Sequence, residues 1–299
     1  MQVFCVPYQF LPRMLPTIRA TLPADLSRVK AVSLIKAVAV EDDSLYLVSD
    51  IIRRGLGEEV DVSVLMGANV ANEVAQDKFC EATIGYRNES NAAVLKDLFD
   101  FPTFSVHPIQ DPEGVEVFAA LKNVIAMAAG FCDGLGQGSN TKAALIRMGC
   151  VEMLRFAQTF YPTVKTETML ESCGIADLVT TSYSGRNRKC SEAFAGKCRG
   201  QSWEQIEKEM LGGQHLAGIE TLQQVHMHLK KREMGHMFPM METIYAISFD
   251  GVPPEAIVDR AESFARVGPK APNKECPLCD KGVVVPNIDR VDRVRSMVA

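Results

Sequence analysis

The pattern of the sequence changes near residue 114, and this change constrains the fold more than any other feature. Before it, short β-branched runs alternate with stretches at helical spacing. They predict strands over residues 3–7, 32–40, 62–66, 80–86 and 104–108, and helices over 9–22, 45–55 and 92–100. Such alternation is typical of an α/β sheet with crossover helices. After residue 114, long apolar stretches at helical spacing predict a mainly helical region.

We place the domain boundary near residue 110, so that residues 1–109 and 110–263 form two domains. Residues 264–299 combine prolines with lysines and predict an exposed, partly disordered tail. Residues 134–139 resemble a nucleotide loop but lack its third glycine and follow a helical pattern, so we interpret them as a connector. Asn140 is a candidate helix N-cap, and residues 203–211 predict a helix that ends at a glycine.

The composition argues against several classes of function. The 299 residues include 32 basic and 37 acidic ones, and the net charge of -5 gives no electrostatic reason to expect nucleic-acid or membrane binding. The longest apolar run, residues 124–132, is about half of the roughly 20 residues that a bilayer span needs. Nine scattered cysteines favour a reducing compartment, hence the cytoplasm. Since the net charge is negative, any anion-binding site must be formed by a local group of residues.

Two separate residues could provide acid–base chemistry. Lys122 lies in an apolar helical context with Asn123 beside it. It is either a surface lysine that reaches solvent or a buried lysine whose lowered pKa lets it carry the proton of a reacting oxygen. Asp177 either caps a helix or holds a lysine; if it meets Lys122, it keeps that ammonium charged, and Thr181 can add a hydrogen bond.

Residues 185–189, Gly-Arg-Asn-Arg-Lys, begin a predicted helix. Backbone N–H groups at a helix start, together with a guanidinium, form a site for a dianion such as phosphate. A solvated basic helix start is the alternative. Cys276 and Cys279 form only half of a zinc knuckle, and His226 and His228 point to different helix sides, so no metal site is predicted.

Many blocks resemble, in order, the NAD-dependent glycerol-3-phosphate dehydrogenases of the eukaryotic cytosolic type. The match runs from about residue 3 to residue 251 and includes Val64-Leu65-Met66-Gly67-Ala68-Asn69, Ala120-Leu121-Lys122-Asn123, Glu171-Ser172-Cys173-Gly174 and Gly185-Arg186-Asn187-Arg188-Lys189. The resemblance implies an α/β, incomplete Rossmann-like N-terminal domain followed by an all-α, 6-phosphogluconate-dehydrogenase-like C-terminal domain. It also implies NAD as cofactor, a cytoplasmic homodimer, and interconversion of sn-glycerol 3-phosphate and dihydroxyacetone phosphate.

The same resemblance implies roles for individual residues. Lys122 would be the proton donor and acceptor, supported by Asp177 and Thr181, and Lys36 and Asn69 would line the reacting end. Arg186 and Asn187 would bind the substrate phosphate. Phe10, Ala71 and Arg186 would contact the cofactor.

The chain also departs from the family pattern. The family's first strand and its Gly-x-Gly-x-x-Gly turn have no counterpart here, so we expect weak NAD binding unless another chain supplies that part. His215 and Ala217 stand where the family has Lys and Gln. Two alternatives remain open: a non-catalytic remnant that acts as a subunit partner or phosphate binder, and a relative that reduces a different ketone.

Overall fold

The computed structural model describes residues 1–41 and 44–267. The chain divides into two compact units, Met1–Glu262 and Ser263–Ala299, and nearly all described residues belong to the first. Most of the predicted tail, including Cys276 and Cys279, lies outside the described residues.

Over the described residues, seven strands form two sheets: β1 (Gln2–Phe4), β2 (Lys30–Ser33), β3 (Val38–Glu41), β4 (Ser44–Leu47), β5 (Asp61–Gly67), β6 (Cys80–Gly85) and β7 (Phe104–Ile109). The larger sheet has the order β1-β2-β5-β6-β7, and the smaller is the β3-β4 pair. β1, β2 and β5 are parallel, β6 runs antiparallel to β5, and β7 is parallel to β6. The carboxyl ends of β1, β2 and β5 therefore meet at one edge.

In the part of the chain that the structure describes, twelve α-helices surround and follow the sheet: α1 (Leu11–Thr21), α2 (Val48–Leu56), α3 (Ala71–Val74), α4 (Glu89–Phe99), α5 (Pro112–Gly134), α6 (Ser139–Phe160), α7 (Asp177–Ser184), α8 (Arg186–Ala195), α9 (Trp203–Leu211), α10 (Ala217–Lys231), α11 (Pro239–Phe249) and α12 (Ala256–Val267). This order, a sheet with crossover helices and then helices alone among the described residues, confirms the predicted α/β and all-α regions.

Two predicted elements are wrong in detail. The strand predicted over 32–40 splits into β2 and β3, because β2 pairs in the larger sheet whereas β3 pairs with β4 in a separate one. The first residues of the helix predicted over 45–55 instead form β4, because Leu45 and Tyr46 pair with β3 in an antiparallel ladder. A tertiary pairing of this kind overrides local helical spacing.

Two of the three boundaries predicted in the helical region agree with the structure. The predicted connector 134–139 joins α5 to α6, and α9 matches the predicted 203–211 and ends at Gly212, which has a φ of 60°. The N-cap prediction for Asn140 is wrong. α6 begins at Ser139, and the backbone of Gly138 caps it by accepting from Lys142 N.

Alternate residues of β5 bury side chains on opposite faces of the sheet. Val64 and Met66 pack with Val115 and Ala119 of α5, whereas Leu65 packs in a cluster that includes Leu95 of α4. This period of two is the ordinary geometry of a strand buried on both faces. It joins α5 directly to the sheet.

α5 is the central helix of the protein. Its 23 residues are long and apolar enough to cross a membrane, yet its most apolar 18-residue window is completely buried inside the protein, as expected of a core helix. α6, α7, α8 and α10 all pack against it. Gly130 and Gly134 let α8 approach closely, since a Cβ on either would overlap the carbonyl oxygen of Arg188 or Glu192.

Replacement of Gly130 by Ala should push α8 away from α5. The added Cβ would clash with Arg188 O and lie 2.6 Å from Ser191 Cβ, and neither backbone can move without disturbing its helix. We expect the free energy of unfolding to fall by about 1–3 kcal/mol, the usual cost of overpacking. Gly138→Ala is the control, because no atom lies within 4 Å of its Cβ position. Equal urea midpoints for both variants would contradict this prediction.

Candidate active site

The carboxyl edge of the parallel strands holds the first part of the site. Lys36 follows β2, and Asn69 follows β5. Lys36 Nζ donates to Gly67 O at 2.7 Å, and Asn69 Nδ2 donates to Glu81 O at 3.0 Å. Both side chains are therefore fixed by backbone carbonyls at the end of the sheet.

Lys122 meets this edge from α5. It is 5% exposed, so the solvent-reaching alternative is wrong. Its Nζ donates to Thr181 Oγ1 at 2.7 Å and to Asp177 Oδ1. The other carboxylate oxygen of Asp177 accepts from Lys36 Nζ at 2.8 Å. One carboxylate thus connects a lysine of the α/β region with a lysine of the helical region.

The position of Asp177 depends on an irregular turn. Residues Ser172–Ala176 form a π-helical turn that leads directly into α7, a feature often found at functional sites. Ser172 Oγ donates to Glu81 O at 2.7 Å, and Cys173 N donates to Thr83 Oγ1 at 3.2 Å, so the turn is attached to β6. No side chain caps α7, and the alternative that Asp177 is a capping residue is wrong.

Burial controls the protonation of Lys122. Loss of solvation, followed by repulsion from the Lys36 ammonium, lowers the pKa of Lys122 to about 7, and attraction to Asp177 opposes the shift. A lysine whose pKa lies near neutral pH can both give and accept a proton under physiological conditions. This matches the buried acid–base interpretation of the sequence.

The second part of the site is the start of α8. Its first N–H groups have no intrahelical acceptors and can bind an anion. Arg186 is exposed, and its Nη1 donates to Gln214 Oε1 at 2.9 Å. Asn187 is buried, and both polar atoms of its side chain have partners inside the protein. Nδ2 donates to Asn123 Oδ1 at 2.9 Å, and Oδ1 accepts from Gly218 N at 3.0 Å.

The two remaining predicted residues lie apart from this hydrogen-bond network. Phe10 follows β1 and is 53% exposed, and Ala71 is exposed at the start of α3 after β5. Both therefore follow strands whose carboxyl ends share the edge that holds Lys36, the edge at which sheets of this kind bind dinucleotides. The side-chain donors of this edge, Lys36 and Asn69, suit the reacting end of such a cofactor. In residues 1–41 and 44–267, no Gly-x-Gly-x-x-Gly turn follows a parallel strand.

Sequence reasoning missed the partners that hold the site residues. Nothing in the local sequence indicates that the Gly67 carbonyl accepts from Lys36, or that Ser172 attaches the Asp177 turn to β6. The sequence around Gln214 gave only a weak indication of a functional loop, since Gln214 follows two glycines in a segment that departs from the family pattern. Its contact with Arg186 spans 28 residues and could be found only in three dimensions.

Comparisons with known proteins agree over nearly the whole described chain. A family model for the N-terminus of NAD-dependent glycerol-3-phosphate dehydrogenase matches residues 1–92, and one for its C-terminus matches residues 111–259. The cytoplasmic glycerol-3-phosphate dehydrogenase [NAD(+)] of Bos taurus is 47% identical over 252 residues, which are 84% of this chain and 70% of that protein. The glycerol-3-phosphate dehydrogenase 1-like protein of Xenopus tropicalis is 45% identical over 262 residues, which are 87% and 72%.

The solved structures agree as well. Glycerol-3-phosphate dehydrogenase from Saccharomyces cerevisiae superposes with a TM-score of 0.80 at 37% identity, over 87% of this chain and 74% of that one. The protein is thus an oxidoreductase with a Rossmann-like region and a helical region. It belongs to the NAD-dependent glycerol-3-phosphate dehydrogenases. The predicted family, fold class and cofactor are confirmed.

Lys122 should make stability depend on pH. Between its folded pKa of about 7 and its unfolded value of 10.5, the unfolded chain holds one more proton than the folded chain. The free energy of unfolding therefore rises with pH across this window. Lys122→Met lacks this contribution, so urea denaturation from pH 7 to pH 10 should show the wild type gaining stability relative to the variant. A difference that is constant with pH would contradict the prediction.

Proposed function

We propose that this chain interconverts sn-glycerol 3-phosphate and dihydroxyacetone phosphate with NAD, and that Lys122 is the proton donor and acceptor. The observation that carries the proposal is the burial of Lys122 between Asp177 and Thr181, with a pKa of about 7. Any buried lysine needs polar partners for its ammonium group; what favours an acid–base role is that burial and the nearby Lys36 bring the pKa of Lys122 to about 7. The family membership supplies the reaction.

In the oxidation, neutral Lys122 takes the proton of the carbon-2 hydroxyl. NAD, when bound, would supply the acceptor for the hydride that leaves this carbon with the C–H electron pair as the alcohol becomes a ketone. In the reduction, protonated Lys122 gives its proton to the carbonyl oxygen. Asp177 stabilises the ammonium form, and Thr181 fixes its direction, as the contacts at Lys122 Nζ indicate. Such proton transfer contributes typically 10² to 10⁴ in rate.

Lys36 and Asn69 line the reacting end from the sheet side. Lys36 shares Asp177 with Lys122, and its side chain is 27% exposed, so it can also meet a substrate oxygen. The substrate phosphate lies at the start of α8. Arg186 provides the guanidinium, and Asn187 provides its backbone N–H, while its side chain bonds to Asn123 and Gly218.

Phe10, Ala71 and Arg186 would hold the cofactor at the carboxyl edge of the parallel strands. The exposed ring of Phe10 and the exposed Ala71 support this assignment. Residues 1–109 act as the cofactor domain and residues 110–263 as the helical substrate domain. The protein acts as a homodimer in the cytoplasm, as the family resemblance implies and as the name of the bovine relative supports for the compartment.

Lys122→Met should lower turnover by about 10² to 10⁴, because the reaction loses its proton carrier. The measurement is NADH oxidation that depends on dihydroxyacetone phosphate. Lys142→Met is the matched control, since Lys142 is also buried (7% exposed) and pairs with a different carboxylate, Asp133. An active Lys122→Met enzyme, or equal losses in both folded variants, would refute the assigned role.

The two directions of the reaction should respond oppositely to pH. Reduction needs protonated Lys122, so its kcat/KM should fall as pH rises through about 7. Oxidation needs the neutral amine, so its kcat/KM should rise over the same range. Profiles of both directions from pH 5.5 to 9 test this, and parallel profiles would contradict it.

A further inference from the structure

We propose that Glu207 is a positioning residue for the phosphate end of the site. Glu207 positions Arg186 through the loop of residues 212–216, which joins α9 to α10 and carries Gln214, the hydrogen-bond partner of Arg186. The inference rests on the proposed function, because it assumes that Arg186 binds the substrate phosphate.

Glu207 binds the loop with three of its oxygen atoms. Its backbone carbonyl accepts from Gly212 N and from Gly213 N, the latter at 3.1 Å. Its Oε1 accepts from Leu216 N at 2.8 Å, and its Oε2 lies 3.0 Å from His215 Nδ1. The Glu207 side chain is 9% exposed, so its bond to Leu216 N is buried, whereas the ring of His215 is largely in solvent. Hydrogen bonds to a buried carboxylate are among the stronger ones.

The loop alternates between two anchors. Gln214 of the loop accepts from Arg186, the first residue of α8, and Gly218 N, in the first turn of α10, donates to Asn187, the second. His215 and Leu216, which lie between them, contact Glu207. Glu207 therefore holds the loop on the side of Gln214 that leads into α10.

The loop has little packing of its own. Gly212 and Gly213 have φ values of 60° and 84°, and no atom lies within 4 Å of either Cβ position. Residues 212–215 are exposed, and Leu216 is the first buried side chain after them. Glu207 is thus the group that converts a glycine-rich turn into a fixed support for Gln214 and, through it, for the direction of Arg186.

The test compares substrates with and without a phosphate. Glu207→Ala should raise KM for dihydroxyacetone phosphate about tenfold, with kcat changed much less, from loss of hydrogen bonds to a buried carboxylate. Its kcat/KM for unphosphorylated dihydroxyacetone should stay at the wild-type value. Glu207→Gln retains an acceptor for Leu216 N and should recover most of the loss. Glu209→Ala, on an exposed glutamate of the same helix, is the control.

Two further variants keep the test decisive. If Glu207→Ala does not fold, Glu207→Asp, which withdraws the carboxylate by one methylene, should show the same selective rise in KM. Inorganic phosphate should slow hydrogen exchange of peptide 212–217 in the wild type and not in Glu207→Ala. Equal losses on both substrates, or a normal Glu207→Ala beside an impaired Arg186→Ala, would overturn the inference and leave the proposed function standing. A normal Arg186→Ala would instead remove the proposed phosphate site itself.

Discussion

The site depends on one carboxylate between two ammonium groups. Asp177 accepts from Lys36 of the α/β region and from Lys122 of the helical region. A buried lysine without a partner would be costly, and two adjacent lysines without a carboxylate would be more so. Much of the surrounding structure serves this arrangement: the sheet edge places Lys36, α5 buries Lys122, and the π-helical turn delivers Asp177 to both.

The same arrangement explains why the pKa of Lys122 falls near neutrality. Burial and Lys36 favour the neutral amine, while Asp177 favours the ammonium. The proton affinity of Lys122 is therefore set by opposing effects, in which Lys36 of the α/β region lowers it and Asp177 of the helical region raises it. A lysine on the protein surface would stay charged at neutral pH, and a buried lysine without Asp177 would lose its proton more readily.

The sequence predicted the fold class, most strands and the residue types of the site, because periodicity and motif blocks are local signals. It failed where tertiary pairing decides, as at β4, whose Leu45 and Tyr46 pair with β3 instead of starting a helix. From the residues alone, Lys122 and Asp177 each had two interpretations, since their meeting across 55 residues is not encoded locally. Only the family resemblance linked them. The internal use of the Asn187 side chain was not predictable from either source.

The close approach of α5 and α8 has a consequence for substrate length. At Gly130 and Gly134 the helices approach so closely that an added Cβ would overlap a backbone carbonyl of α8. Lys122 belongs to α5 and Arg186 to α8, so in the proposed function this helix contact sets the distance between the proton carrier and the phosphate site. The proposed function then implies that a substrate with one more carbon between its hydroxyl and its phosphate fits only if the two helices separate.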